Sequence, residues 1–405
     1  MTTTTPARGN PPPVQADEFA ARRMKAAKLA EERGLDGLIV WGNSSIDSFH
    51  EVYYFTNHVS AFPWVPPCPP LVTGCEHAGL LITADGRSIL LASNYVRDEV
   101  YADQVRTNWN LRDELLACVG DLGLGESRLG VIGETLPYSF GSALERQFSR
   151  LRLEEADDIS VELRLRLSAT EIDLLRHAGS VGARILEASR EAAIEGATEG
   201  DFAGAAAAEA ALVPGCVHWK VMAASGPFVD RFVFDALPCW NPEYVYVQGD
   251  PTHSDLFGFV NGYPYDLARS WVIGSDPTPE QERVQEGARE LCWTMARALR
   301  RGITVRELHL AGMEFLRESG LQTPLAFGIN EGEEAGPDDG PGFGHALGCG
   351  FVAPYLVPQP PWADRPLDPP IGLALETFLT DGKGNYAAYE DMFVWLEDGV
   401  ECISA

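Results

Sequence analysis

Two aspartates lie eleven residues apart on either side of an Asn261-Gly262 dipeptide, which is itself flanked by apolar runs. An Asn-Gly pair in this context predicts a two-residue hairpin turn. The resulting register places Phe257 opposite Asp266, and Asp255 lies two residues from Phe257 on the same face of its strand. The two aspartates then become diagonal neighbours roughly 7–8 Å apart, and such carboxylates repel each other unless a cation lies between them.

Three polar side chains in the last third of the chain extend this pair. Glu376 lies inside the apolar run GLALETFLT, Glu390 begins the strand-like EDMFVWL, and His345 lies in PGFGHALGCG. A glutamate in such a strand is costly to bury alone, so it needs an arginine, a backbone donor or a cation. Two Asp, two Glu and one His form an oxygen-rich set that suits two carboxylate-bridged Mn, Fe, Co or Zn ions.

The order of these five residues resembles the pita-bread metallohydrolases, which include prolidase, aminopeptidase P, methionine aminopeptidase and creatinase. The capping pattern Ser168-Ala-Thr-Glu171 and the turn Ala224-Ser225-Gly226-Pro227 also fit that superfamily. The likeness spans about residues 160–405, and the segment before it resembles the superfamily's N-terminal domain. The strings that carry it are GDPTHSDLFGFVNGYPYDLARSW, FGHALG, LALETFLT and AYEDMFVWLEDGVECIS.

The resemblance implies a role for each of the five residues. Asp255 would chelate one metal ion, while Asp266 and Glu390 would bridge both. His345 and Glu376 would hold the second ion. By the same analogy Glu376 would also shuttle the proton of a bridging water, which makes it a catalytic residue as well as a ligand.

The chain departs from the peptidase members at two histidine positions. Beyond the Ala-Ser-Gly turn it has PFVDRFVF, and seven residues beyond His345 it has Val352. In the peptidases these histidines bind the substrate carbonyl and help stabilise the tetrahedral intermediate. The departures favour a non-peptidase branch. The dimethylsulfoniopropionate lyases are similar in these segments, but they have acidic residues where this chain has Phe351 and His253.

His253 lies two residues before Asp255, so on a strand its side chain shares that face. It is a catalytic candidate as a general acid or base, or an extra ligand, because histidine titrates near neutrality. The alternative is a surface or capping histidine in the PTHS turn. Arg231 and His218 are candidates for substrate binding, each with a structural role as the alternative.

The aromatic, proline-rich segment 51–70 is long and apolar for a connector, and such loops often line binding sites. We expect Phe62 and Trp64 to wall a small pocket, with hydrophobic packing between domains as the alternative. The resemblance to creatinase-like proteins implies a homodimer, in which the N-terminal domain of one subunit reaches the partner's active site.

The elements that must position these residues divide the chain into three parts. Residues 1–16 are a polar, proline-rich tail. Residues 17–165 alternate helices and strands, including a hairpin at 77–93 with an Asp-Gly turn. Residues 166–405 begin with the capping box at Ser168 and contain helices at about 278–300 and 304–320, with a Gly/Pro/Asp-rich loop at 329–342. The expected fold is α/β (α+β): a creatinase-like domain, then a pita-bread domain.

Net charge and the lengths of the apolar runs limit the classes of molecule that this protein can bind. A net charge of −28 argues against nucleic acid, whose phosphates would be repelled. No apolar run approaches the roughly 18–20 residues that cross a bilayer, and no signal-peptide pattern begins the chain, so we expect a cytoplasmic protein that is not membrane-bound and acts on a small molecule.

These features support a dinuclear metal-dependent hydrolase of an amide or amidine C–N bond in a small molecule or modified amino acid. The alternatives are an Xaa-Pro peptidase of the prolidase or aminopeptidase P type, and a metal-dependent lyase that removes a proton next to a carboxylate. A binding protein without activity is a fourth possibility, although it would not need all five ligands.

Overall fold

The computed structural model describes residues 11–44, 48–60, 62–93, 96, 98–231, 238–324 and 342–404. Most of the predicted tail 1–16, nearly all of the predicted loop 329–342 and residues 232–237 lie outside these ranges. The chain divides into two compact units, Pro13–Arg164 and Leu165–Ala405. No helix in the described ranges is both long and apolar enough to cross a lipid bilayer.

The N-terminal unit is built on a six-stranded mixed sheet. Its strands run in the order β4-β3-β2-β1-β5-β6, with β1 antiparallel to β2 and parallel to β5. The elements are α1 (Ala16–Glu32), β1 (Gly37–Asn43), α2 (His50–Thr56), β2 (His77–Thr83), β3 (Ser88–Ala92), β4 (Gln104–Thr107), α3 (Leu111–Asp121), β5 (Arg128–Ile132), α4 (Tyr138–Gln147), β6 (Arg152–Glu155) and α5 (Asp157–Leu165).

The sequence patterns of this unit are confirmed. The predicted hairpin forms between β2 and β3, and Gly86 of its Asp-Gly turn has a φ of 79°, which favours glycine. Trp41 of β1 is fully buried against Phe140 of α4, and these rings belong to the core beneath the sheet.

The C-terminal unit is built on an eight-stranded sheet. Seven strands run in the order β12-β11-β14-β15-β9-β8-β7, and β16 pairs with β15. The elements are α6 (Ala169–Ala192), α7 (Glu199–Ala210), β7 (Cys216–Ser225), a 3-10 turn (Gly226–Phe228), β8 (Pro251–Val260), β9 (Tyr263–Val272), α8 (Pro279–Ala298), β10 (Ile303–Thr304), α9 (Val305–Ser319), β11 (Gly344–Gly348), β12 (Gly350–Tyr355), β13 (Pro366–Leu367), β14 (Ile371–Thr380), β15 (Tyr386–Leu396) and β16 (Gly399–Cys402).

The starts of these helices follow the sequence closely. The capping box predicted at Ser168 forms, with Ser168 Oγ accepting from the Glu171 backbone N–H and the Glu171 carboxylate accepting from the Ser168 N–H. Glu171 also accepts a hydrogen bond from the buried Tyr263 hydroxyl on β9, at 3.1 Å. The cap therefore ties the start of α6 to the central sheet.

The long helices cover one face of the sheet. Gly182 of α6 lies against Tyr265 and Leu267 of β9, where a Cβ atom would come within 2.7 Å of both side chains. Thr377 of β14 donates a hydrogen bond to the Ala288 carbonyl of α8, at 3.2 Å. Tyr265, Leu267 and Thr377 share one face, since side chains alternate along a strand and directly paired residues point the same way. The intervening residues therefore face away from these helices.

We predict opposite effects for two glycine-to-alanine substitutions in helices. Gly179→Ala should lower the free energy of unfolding by about 1–3 kcal/mol, because its Cβ would lie 2.4 Å from the Ile403 backbone oxygen. Gly204→Ala, where no atom lies within 4 Å of the new Cβ, should raise it by about 0.5–1 kcal/mol through helix propensity. Urea unfolding of the two full-length variants measures both, and equal effects would contradict the close helix–strand approach.

Candidate metal centre

Strand register brings the five candidate ligands onto one face of the C-terminal sheet. The predicted hairpin is confirmed, with Phe257 opposite Asp266, and Asp255 is opposite Ala268. Ala268 also pairs with Glu390 of β15, and Glu390 pairs with Glu376 of β14.

His345 of β11 completes the set. It pairs with Ala374, two residues before Glu376 on β14, and therefore shares the face of Glu376. This face is opposite to the one that α6 and α8 cover, since Thr377 next to Glu376 points to α8. The centre thus lies on the face that α6 and α8 do not cover, and its residues come from five adjoining strands, β11, β14, β15, β9 and β8.

Three of the five residues converge closely. Asp266, His345 and Glu390 each offer a ligand atom, and these atoms all lie within 4.8 Å of one another. His345 Nε2 lies 3.2 Å from Asp266 Oδ2. Distances of this size can be spanned by one cation with ligand bonds of about 2.0–2.2 Å.

Burial sets the protonation preferences of these groups. Burial raises the pKa of Asp255 and of Glu390 well above their usual values, and the charges of neighbouring carboxylates raise both further. Burial likewise raises the pKa of Glu376 to about 7. Burial alone would lower the pKa of His345, but hydrogen bonding to Asp266 and the charges of Asp266 and Glu376 raise it overall. The cluster therefore favours bound protons or cations.

In the part of the chain that the structure describes, no arginine neutralises these carboxylates. Within the described ranges, no Arg or Lys forms an ion pair with Asp255, Asp266, Glu376 or Glu390. Both carboxylate oxygens of Glu390 and Oδ1 of Asp255 are buried and accept no hydrogen bond from a nitrogen or hydroxyl donor in the described part of the chain. Unpaired buried oxygens of this kind fit metal ligands, so the residues present suit a pair of divalent ions.

Asp391, the neighbour of Glu390, provides an internal contrast. It is also buried, but it accepts a hydrogen bond from Arg269 Nη2 at 2.5 Å and another from Ser404 Oγ at 2.8 Å. Side chains alternate along β15, so Asp391 points to the opposite face. Asp391 is thus neutralised by an arginine, whereas no described arginine pairs with the carboxylates of the cluster.

His253 lies on the predicted face but outside the converging group. Its Nε2 donates to the Arg231 carbonyl at 2.9 Å, and its ring lies 4.9 Å from the Phe378 ring centroid. Burial lowers the pKa of His253 to about 4, so the imidazole is neutral near pH 7. The Arg231 guanidinium lies over the Phe228 ring, 4.9 Å from its centroid.

His218 is not brought to the centre. Its Nδ1 lies 2.6 Å from the Tyr265 hydroxyl, and Tyr265 belongs to the helix-covered face. Burial lowers the pKa of His218 to about 4. The expectation that His218 binds substrate is therefore not supported by its position, because the sheet separates it from the five candidate ligands.

Phe62 and Trp64 belong to the other unit. The Phe62 ring packs edge-on against Trp109 at 5.0 Å, and Trp64 is 67% exposed. Their predicted role in a substrate pocket stays a prediction.

Three further residues lie near the centre: Lys220, a lesser candidate from the sequence, Phe351, noted there only as a departure from the lyases, and Tyr355, which the sequence did not single out. Lys220 of β7 is opposite Phe257, and its charge lowers the pKa of Asp255. Phe351 and Tyr355 of β12 place their rings 5.1 Å and 5.7 Å from the His345 ring. Lysine in an alternating strand is an ordinary surface pattern, and the approach of the two aromatic residues depends on strand pairing that local sequence does not reveal.

The structure also locates one of the two positions where peptidase members have histidine. Val352 is buried and pairs with Ala346, the neighbour of His345, so it points to the opposite face from the ligands. The other position falls in the stretch 227–234, of which residues 232–234 lie outside the described ranges.

Comparison with known proteins agrees with this arrangement. Residues 173–397 match the sequence model of metallopeptidase family M24, and residues 22–166 match that of the Creatinase/Prolidase N-terminal domain. An Xaa-Pro dipeptidase of Pyrococcus furiosus is 27% identical over 197 residues, 47% of this chain and 53% of that protein. An Xaa-Pro dipeptidase of Pyrococcus horikoshii is 26% identical over 194 residues, 47% and 52% of the two chains. The chain thus spans about half the length of the curated relatives it matches.

Solved structures support the same fold. The X-Pro aminopeptidase of Thermotoga maritima has a TM-score of 0.73 at 18% identity, over 95% of this chain and 97% of that one. The Xaa-Pro dipeptidase of Bacillus anthracis has a TM-score of 0.70 at 20% identity, over the same shares of the two chains. The predicted creatinase-like domain followed by a pita-bread domain is therefore confirmed. The chain belongs to metallopeptidase family M24, a family of dinuclear metal-dependent hydrolases.

Proposed function

We propose that this chain is a dinuclear metal-dependent hydrolase that cleaves the C–N bond of a short peptide, with Xaa-Pro dipeptides as the first substrate class. The observation that carries the proposal is the placement of four carboxylates and one imidazole on one face of the sheet, where three of them converge and no arginine of the described ranges pairs with them. The family match and the names of the curated relatives favour a dipeptide over the non-peptide amide that the sequence alone suggested.

In this proposal Asp255, Asp266, His345, Glu376 and Glu390 hold the two ions, which are Mn, Fe, Co or Zn. Bound there, such ions would supply Lewis-acid polarisation and an activated water. Glu376 is half-buried, whereas the other four are buried, so it is the member that an incoming molecule can reach. We assign Glu376 the transfer of a proton between the attacking water and the leaving nitrogen.

His253 would position a neighbouring segment of the chain rather than bind a metal ion. Its neutral imidazole donates to the Arg231 carbonyl and packs on Phe378, two residues beyond Glu376. We therefore propose that His253 fixes the segment carrying Arg231, whose guanidinium is a candidate for binding a substrate carboxylate. The homodimer, with Phe62 and Trp64 near the partner's site, and the cytoplasmic location stay predictions.

A hydrolase of a non-peptide amide or amidine is the second candidate. Val352 favours it, because the position where peptidases have a carbonyl-binding histidine is apolar and turned away from the ligands. The lyase alternative has less support. Phe351 stands where that branch has a catalytic acid, and it packs against Phe257 and Phe259 in an aromatic cluster.

The substrate prediction concerns the purified full chain loaded with Mn²⁺ or Co²⁺. We expect hydrolysis of Ala-Pro and Leu-Pro, loss of activity after chelation, and recovery when either ion is added back. Proline release measures the rate, and metal analysis should give about two ions per chain. A fully loaded protein that hydrolyses small amides but no dipeptide would replace the first candidate with the second.

The ligand prediction compares two Asp-to-Asn substitutions. Asp266→Asn should weaken metal binding at least about tenfold and leave one ion or fewer per chain, because the amide carries no charge. Asp398→Asn, at an exposed turn between β15 and β16, should keep full metal content and activity. Metal analysis after dialysis tests both variants, and an Asp266→Asn protein with two tightly held ions would contradict the assignment.

The proton-transfer prediction concerns Glu376→Gln, which keeps an oxygen ligand but accepts no proton. We expect kcat to fall roughly 10²–10⁴-fold while at least one ion stays bound. Glu397→Gln, exposed near the end of β15, is the matched control and should leave kcat unchanged. Steady-state kinetics with metal analysis gives the answer, and a kcat within twofold of the unsubstituted protein would remove Glu376 from this role.

A further inference from the structure

Tyr355 lies directly opposite a candidate ligand because the β11–β12 pairing is irregular. Ala346 pairs with Val352, but the next pair is His345 with Tyr355, so two residues of β12 are skipped. Directly paired residues point to the same face of a sheet, and Tyr355 therefore faces the metal centre. The Tyr355 and His345 rings confirm the approach, with centroids 5.7 Å apart and planes at 62°.

Tyr355 is also accessible. It is 60% exposed and ends β12, the terminal strand of the sheet, whereas His345 beneath it is buried. An exposed phenol is therefore held beside a candidate ligand, on the face of the sheet that carries the metal centre.

Amide hydrolysis is faster when a hydrogen-bond donor lies next to the carbonyl oxygen of the bond that is cleaved. As the carbonyl carbon becomes tetrahedral, its oxygen gains negative charge, and a fixed hydrogen-bond donor stabilises that charge. Val352 cannot donate a side-chain hydrogen bond, and it points to the other face of the sheet. Val352 points away because its pairing with Ala346 is regular, and the two residues skipped after it bring Tyr355 opposite His345.

We propose that Tyr355 is a catalytic residue whose hydroxyl donates a hydrogen bond to the carbonyl oxygen of the scissile amide. The phenol keeps its proton throughout. One water molecule supplies the hydroxyl group that the acyl carbon gains and the proton that the leaving nitrogen gains as the C–N bond breaks. This inference rests on the proposed hydrolase function, and it names the residue that contacts the reacting carbonyl. The preferred substrates are those whose carbonyl can point toward the β12 edge of the sheet.

The test is Tyr355→Phe, which removes the hydroxyl and keeps the ring against His345. A donor that acts mainly in the transition state should affect kcat more than KM. We expect kcat for Ala-Pro to fall about 10²–10³-fold, with KM changed less than threefold and metal content unchanged. Tyr355→His, which restores a donor, should recover part of kcat. Tyr138→Phe, at an exposed phenol of the other unit, should have no effect.

A second measurement does not need turnover. A phosphinic analogue of Ala-Pro has a tetrahedral, negatively charged group that imitates the transition state, and calorimetry gives its Kd for each metal-loaded protein. We expect Tyr355→Phe to weaken this binding by roughly the same factor as kcat, while binding of free proline stays within twofold. A structural role for the ring alone would change neither value, because phenylalanine preserves it.

The two proposals fail in different ways. Normal kcat and normal phosphinate binding in a fully loaded Tyr355→Phe protein would overturn the role of Tyr355 and leave the hydrolase function intact. Absence of amide turnover in the unsubstituted protein would overturn the hydrolase function. In that case weaker phosphinate binding by Tyr355→Phe would still support the hydroxyl as a donor, and equal or undetectable binding would overturn it as well.

Discussion

Repulsion between buried carboxylates is the constraint on which the rest of this structure depends. Asp255, Asp266, Glu376 and Glu390 lie on one face of a sheet, and burial and mutual repulsion raise the pKa of Asp255, Glu376 and Glu390. Charges this close interact strongly where the surroundings exclude water. The cluster is therefore stable only with protons or cations bound, and a cation that neutralises it links metal binding to the stability of the fold.

The sheet separates these charged side chains from the hydrophobic core. Alternation along β9, β14 and β15 sends one set of side chains to the long helices and the other set to the cluster. Tyr265 and Thr377 contact α6 and α8, while Asp266 and Glu376, their immediate neighbours, face the other way. A one-residue slip in any of these strands would move carboxylates into the interface with the helices. Packing of the core therefore determines the strand register, and the register places the carboxylates together on the other face.

The sequence predicts much of this arrangement because its signals are local. The Asn-Gly turn determined the pairing of Phe257 with Asp266, and the capping box determined where α6 begins. The sequence did not predict contacts between segments that are far apart in the chain. The bond from His253 to the Arg231 carbonyl joins residues 22 positions apart in the chain, and the approach of Tyr355 depends on an interruption in strand pairing. Neither has a periodic pattern that could reveal it.

The role proposed for Tyr355 would allow this chain to combine the five candidate ligands with a valine at position 352. The ligands come from β8, β9, β11, β14 and β15, which are held on both sides by neighbouring strands. β12 is the terminal strand, so the irregular pairing affects only β11, and the regular pairing of β11 with β14 keeps His345 in register with Glu376. Substrate contacts made from β12 can therefore vary independently of metal binding. In this proposal the hydrogen bond to the substrate carbonyl oxygen comes from the phenol of Tyr355 on β12, where the peptidases use an imidazole.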